Sequence, residues 1–185
     1  MSVAYDHTGP WTLDDVLALP EDSRTRIELV GGALIMSPSP GVPHQRASHR
    51  LAALLELAAD AAGGLEVLEA VNVAMPDGML IPDIVVADAE AAAQAGLTLD
   101  PADVVLVVEI ASPSTRVTDV KLKPALYAAA GIPSYWRVDL DPVPRVTIAD
   151  LRGGVYVERP TVLAGSTVTI DGPGHITFDP AQLVR

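Results

Sequence analysis

A run of apolar residues in the middle of the chain constrains the fold most strongly. Residues 104–108 read Val-Val-Leu-Val-Val, without the alternation of polar and apolar residues that marks a strand with one exposed face. Because β-branched residues favour strands, and a strand that is apolar on both sides must be covered on both sides, this segment belongs inside a sheet. The sequence therefore predicts a central strand over 103–111 in a sheet that carries helices on its faces.

The helices are predicted from apolar residues that recur at helical spacing and from residues that start or stop a helix. The clearest helix runs from His44 to about residue 62, where Gly63-Gly64 ends it. The remaining helical segments are a short one that Thr12 caps and that ends at residue 19, the alanine-rich stretch 89–95, and a stretch that ends near residue 130.

Further strands complete the predicted fold. A hairpin is expected where Gly31-Gly32 joins residues 26–30 to residues 33–36. The other predicted strands cover 65–75, 80–87, 134–139 and 145–149, and short β segments broken by Gly and Pro fill the final third. This order of elements predicts an α/β (α+β mixed) fold, in which helices flank a mixed β-sheet. The length of 185 residues fits a single domain over 1–185.

Composition excludes several kinds of function. The chain lacks cysteine, which excludes disulfides and thiolate zinc sites, and no apolar run approaches the roughly 20 residues that span a bilayer. We therefore expect a soluble, cytoplasmic protein. With 24 acidic residues, 12 basic ones and a formal net charge of −12, the surface as a whole repels nucleic acid, so a DNA partner requires a local basic site.

Two acidic residues lie inside segments that otherwise demand burial. Asp83 stands within Leu80-Ile-Pro-Asp-Ile-Val-Val86, and Glu109 stands within Val107-Val-Glu-Ile-Ala111. A buried carboxylate costs several kcal/mol unless a cation lies beside it. If the two strands are neighbours, both carboxylates reach one ion, and Mg²⁺ suits such a pair because it binds one or two carboxylates and keeps several waters. The alternative is that each acid lies at a strand end and pairs with a surface Lys or Arg.

Two lysines and a third acid are candidates for supporting roles. Lys121 and Lys123 are two positions apart on the following helical stretch, so only one of them can face the acids. Such a lysine would orient a metal-bound water or stabilise charge on a phosphoryl group, whereas a lone Lys is more commonly a solvated surface residue. Glu28 shares a strand face with Arg26 and, taken alone, is the polar side of a hairpin strand.

Cations also gather where helices begin. Arg46, His49 and Arg50 lie in the first turns of the long helix, against the preference of the helix dipole, and Arg116 precedes the two lysines at the start of the later one. Helix N-termini reinforced by cations bind anions, which would provide the local basic site. The alternative is that long Arg side chains cover apolar surface. A lone histidine such as His44, at the start of the apolar stripe, is more often a hydrogen-bonded, partly buried residue than a ligand.

A set of short motifs follows in order along the chain. They are Arg26-Ile-Glu-Leu-Val-Gly-Gly32, Ser37-Pro38, His44, Pro82-Asp83, Val108-Glu-Ile-Ala-Ser-Pro-Ser-Thr115, Asp119, Lys123, Tyr127, Gly131-Ile-Pro133 and Tyr135-Trp-Arg-Val-Asp139. As a set, over roughly residues 12 to 160, they resemble the bacterial restriction-endonuclease family often called Uma-two. That family belongs to the PD-(D/E)xK nuclease superfamily, whose fold is a mixed sheet flanked by helices.

The resemblance implies roles for individual residues. Asp83 and Glu109 would be the metal-binding carboxylates, and Glu28 would join them as an additional acid from the early segment. His44 and Asp119 match further positions of the family.

The resemblance also bears on the choice of lysine. In the simplest form of the superfamily motif, the lysine stands two residues after the second acid, where this chain has Ala111. In this family the lysine is relocated to the following helix, which selects Lys123. Lys121 is the fallback, because Pro124 indicates a helix that starts later.

The function that follows is that of a divalent-metal-dependent DNA endonuclease. It would hydrolyse phosphodiester bonds with a water activated by Mg²⁺ or Mn²⁺, and it would self-associate as a homodimer. The alternative is a catalytically inactive nuclease-fold module for binding or regulation, with which the acidic surface is consistent. A glycosidase is a third reading, but two Trp, four Tyr and one Phe provide few surfaces for stacking sugars.

Overall fold

The computed structural model of the chain describes residues 7–20, 25–111, 121–171 and 174–185. Its helices are α1 (Leu13–Leu17), α2 (Val42–Ala62), α3 (Ala89–Gln94) and α4 (Lys123–Ala129). Its strands are β1 (Thr25–Val30), β2 (Ala33–Pro38), β3 (Leu65–Glu69), β4 (Val73–Met75), β5 (Gly78–Leu80), β6 (Ile84–Asp88), β7 (Val104–Ala111), β8 (Ser134–Asp139), β9 (Arg145–Arg152), β10 (Val155–Glu158), β11 (Val162–Leu163), β12 (Val168–Asp171) and β13 (His175–Phe178).

The large sheet has the order β10-β9-β8-β7-β6-β3, with β11 paired to β9. It is mixed, because β7 runs parallel to β8 and antiparallel to β6. The apolar side chains of β7 are buried on both faces: Leu106 and Val108 pack with Leu51 of α2, and Val107 lies in the same core cluster as Tyr127 of α4. The predicted central strand, the mixed sheet and the α/β fold class are therefore confirmed.

The small sheet carries the hairpin and has the order β2-β1-β5-β4. Gly31 and Gly32 turn the chain between β1 and β2 with φ values of 56° and 79°, which glycine adopts without strain. Thr12 caps α1 in a capping box with Asp15, as predicted for its N-cap. Because β1 carries both Arg26 and Glu28, this sheet brings two charged side chains towards the large sheet.

Two of the predicted strands are wrong as single elements. The segment predicted over 65–75 is divided at Ala70, whose φ of 54° ends β3, and β4 then joins the small sheet. The segment predicted over 80–87 is divided between β5 and β6, because Pro82 has no N–H to donate to a ladder. The break leaves Asp83 immediately before β6, where its side chain turns back towards β7.

The C-terminal β segments cover the large sheet and α2. Ile170 of β12 and Phe178 of β13 lie in the same core cluster as Leu55 and Ala58 of α2. A β-carbon at Gly174 would overlap the backbone carbonyl of Ala58, so the hairpin approaches the helix as closely as glycine allows. Among the helices in the described ranges, none is both long enough and apolar enough to cross a membrane.

Candidate active site

The candidate site is a cavity of about 250 Å³, lined by residues of both sheets and of the first turns of α2 and α4. It contains five predicted site residues from five separate segments of the chain. The predicted residues that line it are Glu28, Asp83, Glu109 and Lys123, and His44 lines it as well.

Strand alternation places the two central acids on one side of the sheet. Asp83 immediately precedes β6, Glu109 lies in β7, and these strands are neighbours. Val85 and Val107, each two positions from one of the acids, lie in the same core cluster as Tyr127 of α4. Because residues two positions apart share a strand face, Asp83 and Glu109 both lie on the α4 side.

Asp83 is held in one orientation by contacts to both carboxylate oxygens. Its Oδ1 accepts a hydrogen bond from the Arg26 guanidinium at 2.6 Å. Its Oδ2 accepts one from the Ile110 backbone N–H at 2.8 Å and lies 3.0 Å from Nε2 of His44. Since 3% of the residue is exposed, these contacts take the place of water around the carboxylate.

These contacts determine the charge of Asp83. Burial alone would raise the pKa of its carboxyl group, because the protein interior solvates a charge poorly. The hydrogen bond and positive charge of His44, then the Ile110 N–H and Arg26, outweigh burial and hold the pKa of Asp83 below its ordinary value of 3.8. Asp83 is therefore an ionised carboxylate at neutral pH.

Lys123 lies between the other two acids. Its Nζ is 2.9 Å from Oε1 of Glu28 and 3.0 Å from Oε1 of Glu109. Glu28 also accepts the backbone N–H of Ile81 at 2.9 Å, and Glu109 accepts the hydroxyl of Tyr127 at 2.6 Å. Because Lys123 is 6% exposed, its ammonium group interacts with these carboxylates rather than with bulk water.

Tyr127 is a permanent hydrogen-bond donor in this cluster. Complete burial, the negative charges of Glu109 and Glu28, and the hydrogen bond to Glu109 raise the pKa of Tyr127 well above 10.0. The phenol is therefore protonated at neutral pH, and it fixes the position of Oε1 of Glu109.

The structure places the remaining candidates elsewhere. Lys121 and Arg46 are exposed, and Arg50 donates to the carbonyl of Gln182 at 2.9 Å. Of these three described residues, none lines the cavity. Of Lys121 and Lys123, it is therefore Lys123 whose side chain contacts the acids. Two further candidates, Asp119 and Arg116, lie outside the described residues.

Arg26 and Tyr127 contact the acids, although sequence reasoning did not propose them as site residues. The periodicity of strands and helices would have placed both residues on the same faces as predicted site residues. Arg26 is two positions from Glu28, so it shares that face of β1, and Tyr127 is four positions from Lys123, so it shares that face of α4.

A family model described as "Putative restriction endonuclease" matches residues 13–175, which is most of the chain. The chain belongs to the Uma2 family. The resemblance seen in its motifs is thereby confirmed, and membership of Uma2 supports a nuclease function. No curated protein matches this Uma2 chain.

A solved structure shows that the Uma2 fold is shared. The crystal structure of "a putative nuclease belonging to DUF820 from Anabaena variabilis ATCC 29413" superimposes with a TM-score of 0.71. The match covers 95% of this chain and 98% of the other, at 18% sequence identity. At this identity the likeness establishes the fold.

The donor set of this Uma2 protein suits a hard divalent cation. Glu28, Asp83 and Glu109 line one cavity with room for an ion and several waters, and carboxylate and water oxygens are the ligands that Mg²⁺ and Mn²⁺ prefer. Within the described ranges, no group of three or more His, Asp and Glu side chains stands in position to hold a metal ion. A cation at this site would therefore have at most two carboxylate ligands and would complete its coordination with water, as Mg²⁺ commonly does.

Proposed function

We propose that this Uma2 protein is a divalent-metal-dependent DNA endonuclease that hydrolyses phosphodiester bonds. The observation that carries the proposal is the convergence of Asp83, Glu109 and Lys123 in one cavity, each of them ionisable and at most 6% exposed. Buried charges are costly to maintain, and such groups gathered in a cleft are typical of catalytic sites rather than of surfaces optimised for stability.

Each of the cavity residues would have its own role in hydrolysis. Asp83 and Glu109 would hold Mg²⁺ or Mn²⁺, which when bound lowers the pKa of a water and neutralises charge on phosphate oxygens. Lys123 would orient the attacking water and stabilise the negative charge that develops on the phosphoryl group. Glu28 positions the Lys123 ammonium, since its Oε1 binds both that group and the Ile81 N–H.

Tyr127 supports this arrangement by positioning Glu109. Its hydroxyl donates to Oε1 at 2.6 Å. A residue of α4, rather than solvent, therefore sets the orientation of this carboxylate of β7. A second hydrogen-bonding layer of this kind fixes the direction in which a carboxylate presents its oxygens to a ligand.

DNA would reach the cavity through local positive charge, because the protein carries a net charge of −12. Arg26 lines the cavity and is partly exposed, so it is the cation best placed to meet a phosphate group. Self-association as a homodimer and a wider basic site remain predictions from the sequence.

One observation favours a second candidate function, that of an inactive module that binds DNA or a regulatory partner. Basic side chains of the protein already contact all three acids: Arg26 and His44 bind Asp83, and Lys123 binds Glu28 and Glu109. In a protein that does not catalyse a reaction, nothing would require these ion pairs to break. The two functions differ in what they need from Asp83, because only the nuclease requires it to bind a metal.

Cleavage assays separate these functions. Purified protein is incubated with supercoiled plasmid, linear duplex and single-stranded oligonucleotide in Mg²⁺ or Mn²⁺, with a chelator control. We expect cleavage that the chelator abolishes and that falls about 100-fold or more in Asp83→Asn, Glu109→Gln and Lys123→Met.

Two variants serve as matched controls outside the cavity. Asp139→Asn alters an acid that is 4% exposed and pairs with Arg145, and Lys121→Met alters an exposed lysine next to the site in sequence. Both should cleave like the wild type. DNA that stays intact under every condition, while wild type and Asp83→Asn bind it equally well without metal, would rule out the nuclease in favour of the binding module.

A further inference from the structure

Every carboxylate oxygen of Asp83 is already in use. Oδ1 accepts the Arg26 guanidinium at 2.6 Å, and Oδ2 contacts the Ile110 N–H at 2.8 Å and His44 Nε2 at 3.0 Å. Oδ1 keeps one lone pair that a metal ion could use, but an ion bound there, as the proposed function requires, would lie beside the Arg26 guanidinium and repel it.

The three partners differ in how easily they can leave. The Ile110 N–H belongs to β7 in the centre of the sheet, and its residue is 1% exposed. His44 is in α2, and its side chain is 12% exposed. Arg26 has a side chain that is 24% exposed, and it binds Oδ1 while the other two bind Oδ2. Departure of Arg26 therefore frees one oxygen and leaves the carboxylate oriented by the other.

The charge balance of the cavity favours this departure. The carboxylates of Glu28, Asp83 and Glu109 face Lys123, Arg26 and His44, which already balance at least two of the three negative charges. A divalent cation adds two positive charges to this set. The ion repels the guanidinium, and a phosphate group that enters the cavity offsets part of the added charge.

A guanidinium released at the cavity wall is suited to that phosphate. Its planar fork of N–H donors binds two oxygens of a phosphate at once, as it binds those of a carboxylate. Lys123 is a poorer candidate for such a move, because it is 6% exposed and contacts two carboxylates.

We propose that Arg26 is an exchangeable counter-ion: it neutralises Asp83 in the metal-free protein and moves to a phosphate of the DNA substrate when Asp83 binds the metal. The inference rests on the proposed nuclease function. It assigns to Arg26 two opposite effects, since the residue competes with the metal for Asp83 and assists the binding of substrate.

The test compares Arg26→Gln with Arg145→Gln. Arg145 is a close match, because its side chain is 23% exposed and it binds a buried acid, Asp139, at 3.1 Å outside the cavity. Binding of Mn²⁺ alone is measured by titration calorimetry without DNA, and the gain in melting temperature on adding Mn²⁺ is recorded for each variant.

We expect Arg26→Gln to bind Mn²⁺ about tenfold more tightly than the wild type, because removal of a charged hydrogen bond removes a competitor of that strength. Its melting temperature without metal should fall, and Mn²⁺ should restore more of it than in the wild type. In cleavage assays its KM for DNA should rise. Arg145→Gln should match the wild type in Mn²⁺ affinity and in KM.

Arg26→Lys gives an independent reading if Arg26→Gln does not fold. It keeps the competing charge but loses the bidentate fork, so we expect Mn²⁺ affinity close to that of the wild type and a raised KM for DNA.

The outcomes separate the inference from the function on which it rests. Equal or weaker Mn²⁺ binding by Arg26→Gln, in a protein whose wild type binds Mn²⁺ and cleaves DNA, would overturn the role of Arg26 and leave the nuclease standing. A KM for Arg26→Lys equal to that of the wild type would likewise overturn it. Wild-type protein that neither binds Mn²⁺ nor cleaves DNA would overturn the nuclease function itself, and the exchange with it.

Discussion

Replacement of Lys123 by methionine is the sharpest test of the energetics of the cavity. Methionine keeps the unbranched side chain but removes the ammonium from between Glu28 and Glu109, whose Oε1 atoms lie 2.9 and 3.0 Å from it. We expect the free energy of unfolding to fall by about 3–5 kcal/mol, as it does when one partner of a buried ion pair is removed.

Burial sets this magnitude. Glu28 and Glu109 are 4% and 3% exposed, so the few waters that the cavity admits compensate only in part for loss of the ammonium charge. Their mutual repulsion is then uncompensated. The contacts to Nζ allow the two Oε1 atoms to lie at most about 6 Å apart, and at that separation, with an effective dielectric constant of about 20, the repulsion amounts to roughly 3 kcal/mol. The hydrogen bonds from the Ile81 N–H and the Tyr127 hydroxyl survive and offset part of the loss. An exposed ion pair, by contrast, contributes about 0–1 kcal/mol.

Urea unfolding without metal measures the loss, and two further variants locate its cause. Lys121→Met should change the stability by less than about 0.5 kcal/mol, since that lysine is exposed. The double variant Lys123→Met/Glu109→Gln should be more stable than the sum of the single effects predicts, because one of the repelling charges is gone. A loss of less than about 1 kcal/mol for Lys123→Met, or strict additivity in the double variant, would refute the reasoning.

Two predictions concern parts of the molecule away from the cavity. Gly78→Ala should cost more than about 2 kcal/mol in thermal unfolding, because a β-carbon there overlaps the backbone carbonyl of Leu29 across the β1–β5 pair. Gly96→Ala, with open space around it, should change stability by less than about 0.5 kcal/mol, and equal effects of the two changes would contradict this account. The hydrogen bond from Arg159 holds the pKa of Asp150 below 3.8. As the pH falls, Asp150 of the unfolded chain therefore takes up a proton before Asp150 of the folded protein does. The stability that this pair contributes above about pH 4 is then lost in more acidic solution. Asp150→Asn should therefore flatten the decline of unfolding free energy with acid, and an unchanged decline would show that the pair contributes nothing.

Elements decided by residues close in sequence were predictable. The hairpin at Gly31-Gly32 depends on two residues that adopt positive φ, and the end of α2 depends on Gly63, whose φ is 75°. The central strand β7 was predictable for a similar reason, because its five apolar residues leave no alternative to burial on both faces.

Elements decided by distant partners were not predictable from local pattern. Residues 65–75 look like one strand because all of them tolerate extended backbone, yet Val73 bridges to Leu99 and β4 joins a different sheet from β3. Choosing between sheets requires knowing which strands lie alongside, and that information is spread over the whole chain.

The burial of the two acids was predictable from the apolar residues around them, and of their cationic partners only the lysine was proposed from the sequence. A carboxylate inside an apolar strand must meet a cation, which the sequence demands for Asp83 and Glu109 without naming the cation. The structure supplies Arg26 of the small sheet for Asp83 and Lys123 of α4 for Glu109.

The choice between Lys121 and Lys123 could nevertheless have been made from helical geometry. Tyr127 is aromatic and followed by Ala128, so it marks the buried side of α4. Lys123, four positions earlier, lies on that same side, whereas residue 121, six positions earlier, would lie about 120° away on a helix of 3.6 residues per turn. A lysine in register with a buried aromatic residue has to be neutralised inside the protein, because its ammonium cannot reach water at low cost. Glu28 and Glu109 neutralise the ammonium group of Lys123. The need for such partners, rather than closeness in sequence to Glu109, explains why Lys123 lies beside these acids.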